Sequence, residues 1–304
     1  MNHRNLGRYL IVTAFVALLA CGEPAKAPQV LRVGFVPSED AAQVMQNAQP
    51  IVEILRQQLG MEIRPFVATD YTGVIEALRA NKLDVAFLTP ASYVLAKIET
   101  NVKVVLKSER KGVAAYYAAI ITRTDSGIKS LDDLRGKSFA FGDALSTSGY
   151  VFPRKMLKER GIDPVRDFKQ VLYSGGHDAT VLAVLNGKVD AGATYANSPD
   201  GQDTAWMRFL KNPADVKRIH AIAFSEPIPA DNLVINGNLD ERLAKKIEQV
   251  FLDLSRDPQG KKMLRELYQI DGFVSATDKD YDSVRQAFTD AGIPLKEALR
   301  KKQP

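Results

Sequence analysis

The sequence is poor in the residues on which thiol and metal chemistry depend. It has one cysteine, Cys21, and three histidines, His3, His177 and His220, among 304 residues. A single cysteine excludes disulfides within one chain, and no group of these residues has the spacing of a metal site. Nucleophile elbows and Walker loops are also lacking. The sequence therefore predicts a protein that is not an enzyme and that carries no metal or cofactor.

Long apolar runs and basic blocks are scarce as well. After residue 20, no apolar stretch approaches the roughly 20 residues that a bilayer-spanning helix needs. The formal net charge is +5, but the lysines and arginines are scattered among acidic residues. This pattern is typical of a solvated surface and argues against nucleic-acid binding.

The beginning of the chain predicts export. A short basic stretch precedes the apolar run 9–20, as in a signal peptide covering residues 1–20. Leu18-Leu-Ala-Cys21 resembles the lipobox of bacterial lipoproteins, in which cleavage before the cysteine leaves a thiol that is acylated. Residues 21–29 are polar and proline-rich, which favours a tether. We expect lipid anchoring through Cys21 on the periplasmic side of a bacterial membrane, inner or outer. The alternative is an ordinary signal peptide with an incidental cysteine.

The rest of the chain alternates short strands with helices. One helix is expected to begin at Pro50, which suits a first helical position, and to end at Gly60. Strands are expected, among others, at 30–36, 61–67, 84–88, 138–141, 170–173 and 219–224. The alternation predicts parallel α/β sheets, and the length of the chain favours two packed lobes.

The most informative stretch is the run Ser146-Thr147-Ser148-Gly149, which follows the expected strand 138–141. Three small hydroxyl residues and a glycine before a helix would gather O–H and N–H donors at the positive end of the helix dipole. Such a group of donors suits a tetrahedral oxyanion. Pro153 has no N–H for the carbonyl of Gly149, so the first turn must be irregular. The alternative is that the three hydroxyl residues only cap the helix.

Several blocks of the sequence resemble the periplasmic phosphonate/phosphite/phosphate-binding proteins of ABC importers, in the family's order and over nearly the whole chain after the tether. These blocks are Asp70-Tyr-Thr-Gly-Val-Ile-Glu-Ala-Leu78, Asp84-Val-Ala-Phe-Leu-Thr-Pro-Ala-Ser-Tyr93, Ser146-Thr-Ser-Gly-Tyr150, Gly175-Gly-His-Asp-Ala179, Lys188-Val-Asp-Ala191 and Ile228-Pro-Ala-Asp231. The resemblance implies a two-lobed α/β fold of the type II periplasmic binding proteins, with the ligand in the cleft between the lobes. It also implies an ABC transporter permease as partner.

The resemblance further implies how the chain divides. Lobe one would combine residues 28–115 with 226–304, and lobe two would comprise residues 116–225. Two crossover segments, near Tyr116–Thr122 and Ala221–Ser225, would form the hinge.

The resemblance also assigns roles in phosphoryl binding. Ser146, Thr147 and Ser148 would hold the phosphoryl oxygens, and His177 would add a donor from the start of the next helix. Thr89 would contribute from the end of a lobe-one strand. The alternative for His177 is a simple capping role.

Two tyrosines and one aspartate complete the implied site. Tyr71 and Tyr116 would close the cleft with their phenolic groups, although both also suit ordinary half-buried packing. Asp231 would face the ligand from the other lobe. A carboxylate beside a dianion is repelled, so Asp231 requires a protonated P–OH or an amine on the ligand.

The neighbourhood of Asn197 bears on which ligand is bound. In the aminoalkylphosphonate binders of the family, a glutamate partners the aspartate around the amine. This chain has Asn197 there and Tyr195 two residues earlier, which argues against aminoethylphosphonate. Phosphite, methylphosphonate, phosphate or another phosphonate is the expected ligand. Affinity should then fall as pH rises through the second ionisation of the ligand.

Two other functions stay open from the sequence. One is the ligand-binding component of an extracytoplasmic sensor system, for which the same fold serves. The other is a binder of a different small anion, such as a sulfonate.

Overall fold

The computed structural model describes residues 30–295, so the predicted signal peptide, Cys21 and the tether lie outside the described part. The strands are β1 Val30–Phe35, β2 Glu62–Val67, β3 Val85–Leu88, β4 Lys103–Glu109, β5 Ala115–Arg123, β6 Ser138–Phe141, β7 Gln170–Tyr173, β8 Ala191–Ala196, β9 Ile219–Phe224, β10 Ile228–Pro229, β11 Asn232–Ile235 and β12 Gly272–Ser275. The helices are α1 Ala41–Leu59, α2 Tyr71–Arg79, α3 Pro90–Glu99, α4 Phe152–Glu159, α5 Pro164–Asp167, α6 His177–Leu185, α7 Ala205–Phe209, α8 Pro213–Val216, α9 Glu241–Leu254, α10 Pro258–Tyr268 and α11 Asp282–Asp290. Within residues 30–295, no helix is both long and apolar enough to span a membrane.

The strands form two sheets, and the chain passes between them twice. The first sheet has the order β12-β4-β11-β3-β1-β2, and the second has the order β10-β5-β8-β6-β7, with β9 also paired to β5. The chain leaves the first sheet after β4 and returns to it between β10 and β11. The passages therefore lie at 110–114 and 230–231, whereas the segments expected to be the hinge belong to strands β5 and β9 of the second sheet.

The predicted lobe limits stay a prediction. Strand β10 falls in the range 226–304 assigned to lobe one, yet Ile228 and Pro229 pair with Tyr116 and Ala115 in the second sheet.

The prediction of parallel sheets was only partly correct, because both sheets are mixed. β1 runs parallel to β2 and β3, and β6 runs parallel to β7 and β8. β11 is antiparallel to β3 and β4, and β5 is antiparallel to β8 and β9. The antiparallel strands adjoin the passages between the sheets, where no crossover helix sets the direction. Local alternation along the chain cannot reveal that pairing.

The expectation that a helix begins at Pro50 was wrong. Helix α1 begins after Asp40, whose carboxylate accepts a hydrogen bond from the Gln43 N–H at 2.9 Å, and Pro50 lies inside the helix. The aspartate cap is the stronger start signal, because it satisfies a backbone donor that the helix leaves without a partner. The predicted end is correct, since Gly60 has the left-handed conformation with a φ of 67°.

Strand β3 shows how the core positions the cleft. Val85 and Phe87 pack into a cluster with α1, α9 and α10, whereas Ala86 and Leu88 pack into a second cluster that includes α2 and α3. A strand buried on both faces is typical of a sheet with helices on each side. The second cluster continues into the second sheet through Phe139 and joins the two halves of the molecule.

Candidate functional site

A cavity of about 60 Å³ lies between the two sheets. It lies at the carboxyl ends of the parallel strands β1, β3, β6 and β8. Ligands bind at this edge of the sheet in many α/β folds. Seven of the ten predicted ligand-binding residues line it, namely Thr89, Tyr116, Ser148, His177, Tyr195, Asn197 and Asp231. Ser146, Thr147 and Tyr71 are not among its lining residues.

The three hydroxyl residues after β6 have three different surroundings. The Ser146 Oγ accepts a hydrogen bond from the Gly149 N–H at 3.0 Å, which is the capping arrangement considered for this residue. The Thr147 Oγ1 accepts one from the N–H of Ala91 in α3 at 2.9 Å. Of the three, Ser148 borders the cavity. The structure therefore places one hydroxyl of this run where a ligand would lie.

The turn that carries Ser148 is irregular, as Pro153 predicts. Residues Thr147–Val151 form a π-helical turn ahead of α4. The carbonyl of Gly149, which Pro153 cannot serve, accepts instead from the Gly142 N–H at 3.0 Å. A Cβ on Gly149 would lie 2.8 Å from the Ser146 Oγ, so glycine is required here.

The backbone of the turn adds donors beside Ser148. The N–H groups of Thr147 and Ser148 open the turn, and the first N–H groups of a helical segment have no carbonyl one turn earlier. No hydrogen bond from either N–H is found within residues 30–295 outside the turn itself. An anionic oxygen close to Ser148 would therefore meet backbone and hydroxyl donors together.

His177 opens α6, as expected, and it borders the cavity from the second sheet. Its backbone N–H donates to the carbonyl of Ser38 at 2.9 Å, and its Nδ1 lies 3.1 Å from the Thr194 Oγ1. Burial lowers the pKa of His177 to about 4. The ring is therefore neutral near pH 7, with one N–H donor and one acceptor nitrogen. If Thr194 donates to Nδ1, the Nε2–H is the donor that remains for a ligand.

The two tyrosines predicted to close the cleft are placed differently. Tyr116 borders the cavity, and burial raises the pKa of its hydroxyl, with nearby Asp231 adding to the rise. Tyr71 is buried, and its hydroxyl has no hydrogen-bond partner within the described part of the chain. Burial also raises the pKa of Tyr71 well above its usual value, so both phenols are neutral at physiological pH.

Thr89, Tyr195 and Asn197 line the cavity but already have partners. The Thr89 Oγ1 donates to the Ser92 Oγ at 3.0 Å and caps α3. The Tyr195 hydroxyl donates to the Gln269 Oε1 at 2.9 Å, and the Asn197 Nδ2 lies 3.3 Å from the same oxygen. Tyr195 and Asn197 therefore connect the end of β8, in the second sheet, to the part of the molecule that contains the first sheet.

Two ion pairs line the cavity that sequence reasoning did not predict in full. Asp231 was expected, but its partner Arg110, with Nη2 3.0 Å from the Asp231 Oδ2, was not. The Glu39 carboxylate is held by Arg208, with a shortest N–O distance of 2.6 Å. No motif connects these residues, since Arg110 and Asp231 are 121 positions apart and Arg208 and Glu39 are 169 apart.

Two sheets joined by two passages of the chain, with a small cavity between them, define a two-lobed solute-binding protein. The family described as "ABC transporter, phosphonate, periplasmic substrate-binding protein" matches residues 33–281. The chain therefore belongs to this family, and the expected type II periplasmic binding-protein fold is confirmed. Members of the family are substrate-binding components of transporters, which confirms the expectation that the chain is not an enzyme.

Individual relatives agree with this assignment. The chain is 29% identical over 266 residues to the phosphonates-binding periplasmic protein of Escherichia coli, covering 85% of this chain and 77% of that one. It is 27% identical over 282 residues to the phosphate-import protein PhnD of Mycolicibacterium smegmatis, covering 85% and 84%. Among solved structures, the binding-protein component of an ABC phosphonate transporter from Pseudomonas aeruginosa superposes with a TM-score of 0.79. Its sequence identity is 26%, with 91% of each chain covered.

Proposed function

We propose that the chain is the lipid-anchored solute-binding component of an ABC importer and that it binds a small phosphorus oxyanion in the cavity between the sheets. The observation that carries the proposal is the meeting of Ser148, Tyr116 and His177 around one cavity. All three are neutral groups that can donate a hydrogen bond, and they come from different elements of the fold.

Neutral donors are sufficient for an anion in a buried site. A fixed O–H or N–H is worth more in a low-dielectric cavity than in water, because no solvent competes for the acceptor. Ser148 has 2% of its surface exposed, and His177 has 6%. The N–H groups that open the turn at Thr147 add the positive end of a helical segment to the same place.

The size of the cavity favours a small ligand. A single water molecule needs about 10–15 Å³ of such volume, so a cavity of about 60 Å³ has room for a ligand of a few non-hydrogen atoms. Phosphite, phosphate and methylphosphonate have four or five. The size of the cavity is therefore compatible with the small oxyanions predicted from the sequence. The names of the relatives, a phosphonates-binding protein and a phosphate-import protein, point to the same ligand class.

Isothermal titration calorimetry on the purified full chain tests the ligand. The panel contains phosphite, methylphosphonate, phosphate, aminoethylphosphonate, sulfate and arsenate at one pH. We expect tight binding of a phosphorus oxyanion and weak binding of sulfate. Ser148→Ala should weaken that binding by about tenfold to a hundredfold, because a hydrogen bond to a charged group is lost.

Ser130→Ala provides the matched control, because Ser130 is exposed in the same half of the molecule and donates to Asp133 away from the cavity. It should bind as the unaltered protein does. Tight binding of sulfate or a sulfonate with no binding of any phosphorus compound would contradict the proposal.

The lipid anchor rests on the lipobox and has its own test. In cells that produce the full chain, we expect the protein in the membrane fraction and labelled by a fatty acid. Cys21→Ser should abolish the label and release the protein, while Ser38→Cys, which places a thiol elsewhere, should not restore the label in that background. A protein that stays unlabelled with Cys21 intact has only an ordinary signal peptide.

A further inference from the structure

The charged side chains that line the cavity are already paired with one another. Arg110 and Asp231 form one pair, with the Nη2 3.0 Å from the Oδ2. Arg208 donates to both oxygens of Glu39, at 2.6 and 3.1 Å. Among the described lining residues, the two carboxylates are thus matched by two guanidinium groups.

Arg110 is held firmly in this arrangement. It is 9% exposed, and its Nη2 also donates to the carbonyl of Tyr268 at 3.0 Å. Its guanidinium carbon lies 5.9 Å from the centre of the Tyr116 ring. The buried Nε–H has no hydrogen-bond partner within residues 30–295. A buried donor without a partner is costly, so an acceptor on a bound ligand would stabilise it.

The pairing bears directly on ligands that carry an amine. A buried ammonium group needs a carboxylate partner to offset its loss of hydration. Asp231 already accepts from Arg110, so an ammonium beside Asp231 would also lie close to a guanidinium of the same sign. Glu39 is occupied through both oxygens, and Asn197 has no charge. No carboxylate of the described cavity lining therefore has an uncompensated negative charge to offer the amine.

We propose that Arg110 is a specificity-determining residue, which occupies Asp231 and so makes the cavity reject phosphonates with a cationic amine. The ligand class that remains is the small phosphorus oxyanion without an amine, inorganic or short alkyl, with the Arg110 Nε–H as an additional donor to it. This inference rests on the proposed function, because it presupposes a phosphoryl group in the cavity.

Methylphosphonate and aminomethylphosphonate form a suitable ligand pair, since they differ by one amino group. Their affinities are measured by isothermal titration calorimetry on the full chain at one pH near 7, and the ratio of the two affinities is compared between variants. Properties of the free ligands cancel in this comparison. In Arg110→Gln, Asp231 loses its partner, and the ratio should shift towards aminomethylphosphonate by at least about tenfold. Arg110→Lys keeps a cation beside Asp231 and should keep the original ratio.

The double variant Arg110→Gln/Asp231→Asn gives a second test, and it leaves neither partner of the ion pair as an unpaired buried charge. Because it removes both charges together, its ratio of affinities should stay close to that of the unaltered protein. A shift of tenfold or more towards aminomethylphosphonate in the double variant would show that the Asp231 carboxylate is not the source of the shift, and would overturn the inference. An unchanged ratio in a folded Arg110→Gln variant would overturn it as well.

The inference and the proposed function fail in different ways. If no phosphorus oxyanion of any kind binds the unaltered protein, the proposed function fails and the specificity argument fails with it. If methylphosphonate or phosphite binds tightly but the ratios do not respond to Arg110, only the role of Arg110 is lost.

Discussion

The Thr147 Oγ1 accepts a hydrogen bond from the backbone N–H of Ala91, with the two atoms 2.9 Å apart. Thr147 stands after a strand of the second sheet, whereas Ala91 is at the start of α3, beside the first sheet. The N–H of Ala91 belongs to the first turn of that helix and has no acceptor within it. The middle hydroxyl of the Ser-Thr-Ser run therefore connects the two halves of the molecule.

Replacing Thr147 by valine removes this acceptor at nearly constant shape. A buried N–H left without a partner costs about 1–3 kcal/mol, so the free energy of unfolding should fall by that amount. Chemical denaturation followed by circular dichroism measures the change. Thr289→Val is the control, because Thr289 is exposed on α11, and it should lie within about 0.5 kcal/mol of the unaltered protein. Equal stability of the two variants would show that the contact with Ala91 contributes nothing.

The ion pair between Glu39 and Arg208 should contribute more to the free energy of unfolding than the contact between Thr147 and Ala91 does. Both side chains are largely buried, with 8% and 16% exposed, and Arg208 also donates to the carbonyl of Leu267 at 3.3 Å. Arg208→Met should destabilise the protein by about 3–5 kcal/mol at pH 7, because the Glu39 charge is left buried and unpaired. The double variant with Glu39→Gln should recover part of that loss.

The effect of pH separates charge from packing in this pair. Burial raises the pKa of Glu39, and Arg208 partly offsets the rise. Without Arg208 the pKa should rise further, so Glu39 becomes protonated more easily in the folded state. The destabilisation by Arg208→Met should therefore be smaller at pH 5 than at pH 7. A loss of equal size at both pH values would mean that packing, and not charge, accounts for it.

A third prediction concerns Asp143, which also connects the two halves. Its carboxylate accepts from the N–H of Leu145 at 2.7 Å and from the N–H of Tyr71 at 3.3 Å, and burial raises its pKa to about 6. The unfolded chain has the ordinary value near 4, so the folded state holds the proton more tightly. This contribution to stability is present at acidic pH and is lost as pH rises through about 6.

The difference in unfolding free energy between the unaltered protein and Asp143→Asn should therefore change with pH. A shift of about two units corresponds to about 3 kcal/mol at most, to the disadvantage of the unaltered protein as pH rises from 4 to 7. The amide of the variant also loses one of the two hydrogen bonds, but that loss is the same at each pH. The test is therefore how this difference in unfolding free energy changes with pH. A difference that is constant between pH 4 and 7 would contradict a raised pKa of Asp143.

Local patterns predicted those parts of the molecule that depend on neighbours in sequence. The strands Ser138–Phe141, Gln170–Tyr173 and Ile219–Phe224 have the predicted bounds. The irregular turn was predictable as well, because the missing N–H of Pro153 acts only one turn away.

The charges around the cavity were beyond such reasoning. Arg110 contacts Asp231, and Arg208 contacts Glu39, only because the two sheets face one another. An arginine after a strand or on a short helix has no sequence pattern that would predict such a partner. Resemblance to the family supplied Asp231 but not its partner. The argument that this carboxylate needs a protonated ligand or an amine was therefore incomplete, since Arg110 offsets part of its charge.

The last prediction concerns how Asp231 and Arg110 together shape the pH dependence of ligand binding. Arg110 occupies the Oδ2, and no hydrogen bond to the Oδ1 is found within residues 30–295. That oxygen can accept from the P–OH of a singly ionised ligand. The doubly ionised form has no such proton, so affinity for phosphite or methylphosphonate should fall as pH rises through the second ionisation of the ligand.

Three proteins distinguish the contributions, each titrated with phosphite from pH 5.5 to 8.5. The unaltered protein should lose affinity as pH rises, but moderately, because the guanidinium offsets part of the repulsion between Asp231 and the dianion. Arg110→Gln should lose more over the same range, since the carboxylate then acts alone, whereas Asp231→Asn should show a nearly flat profile. A steep fall in affinity that persists in Asp231→Asn would show that another group causes the pH response. His177 is not that group, because with a pKa of about 4 it stays neutral over the whole range.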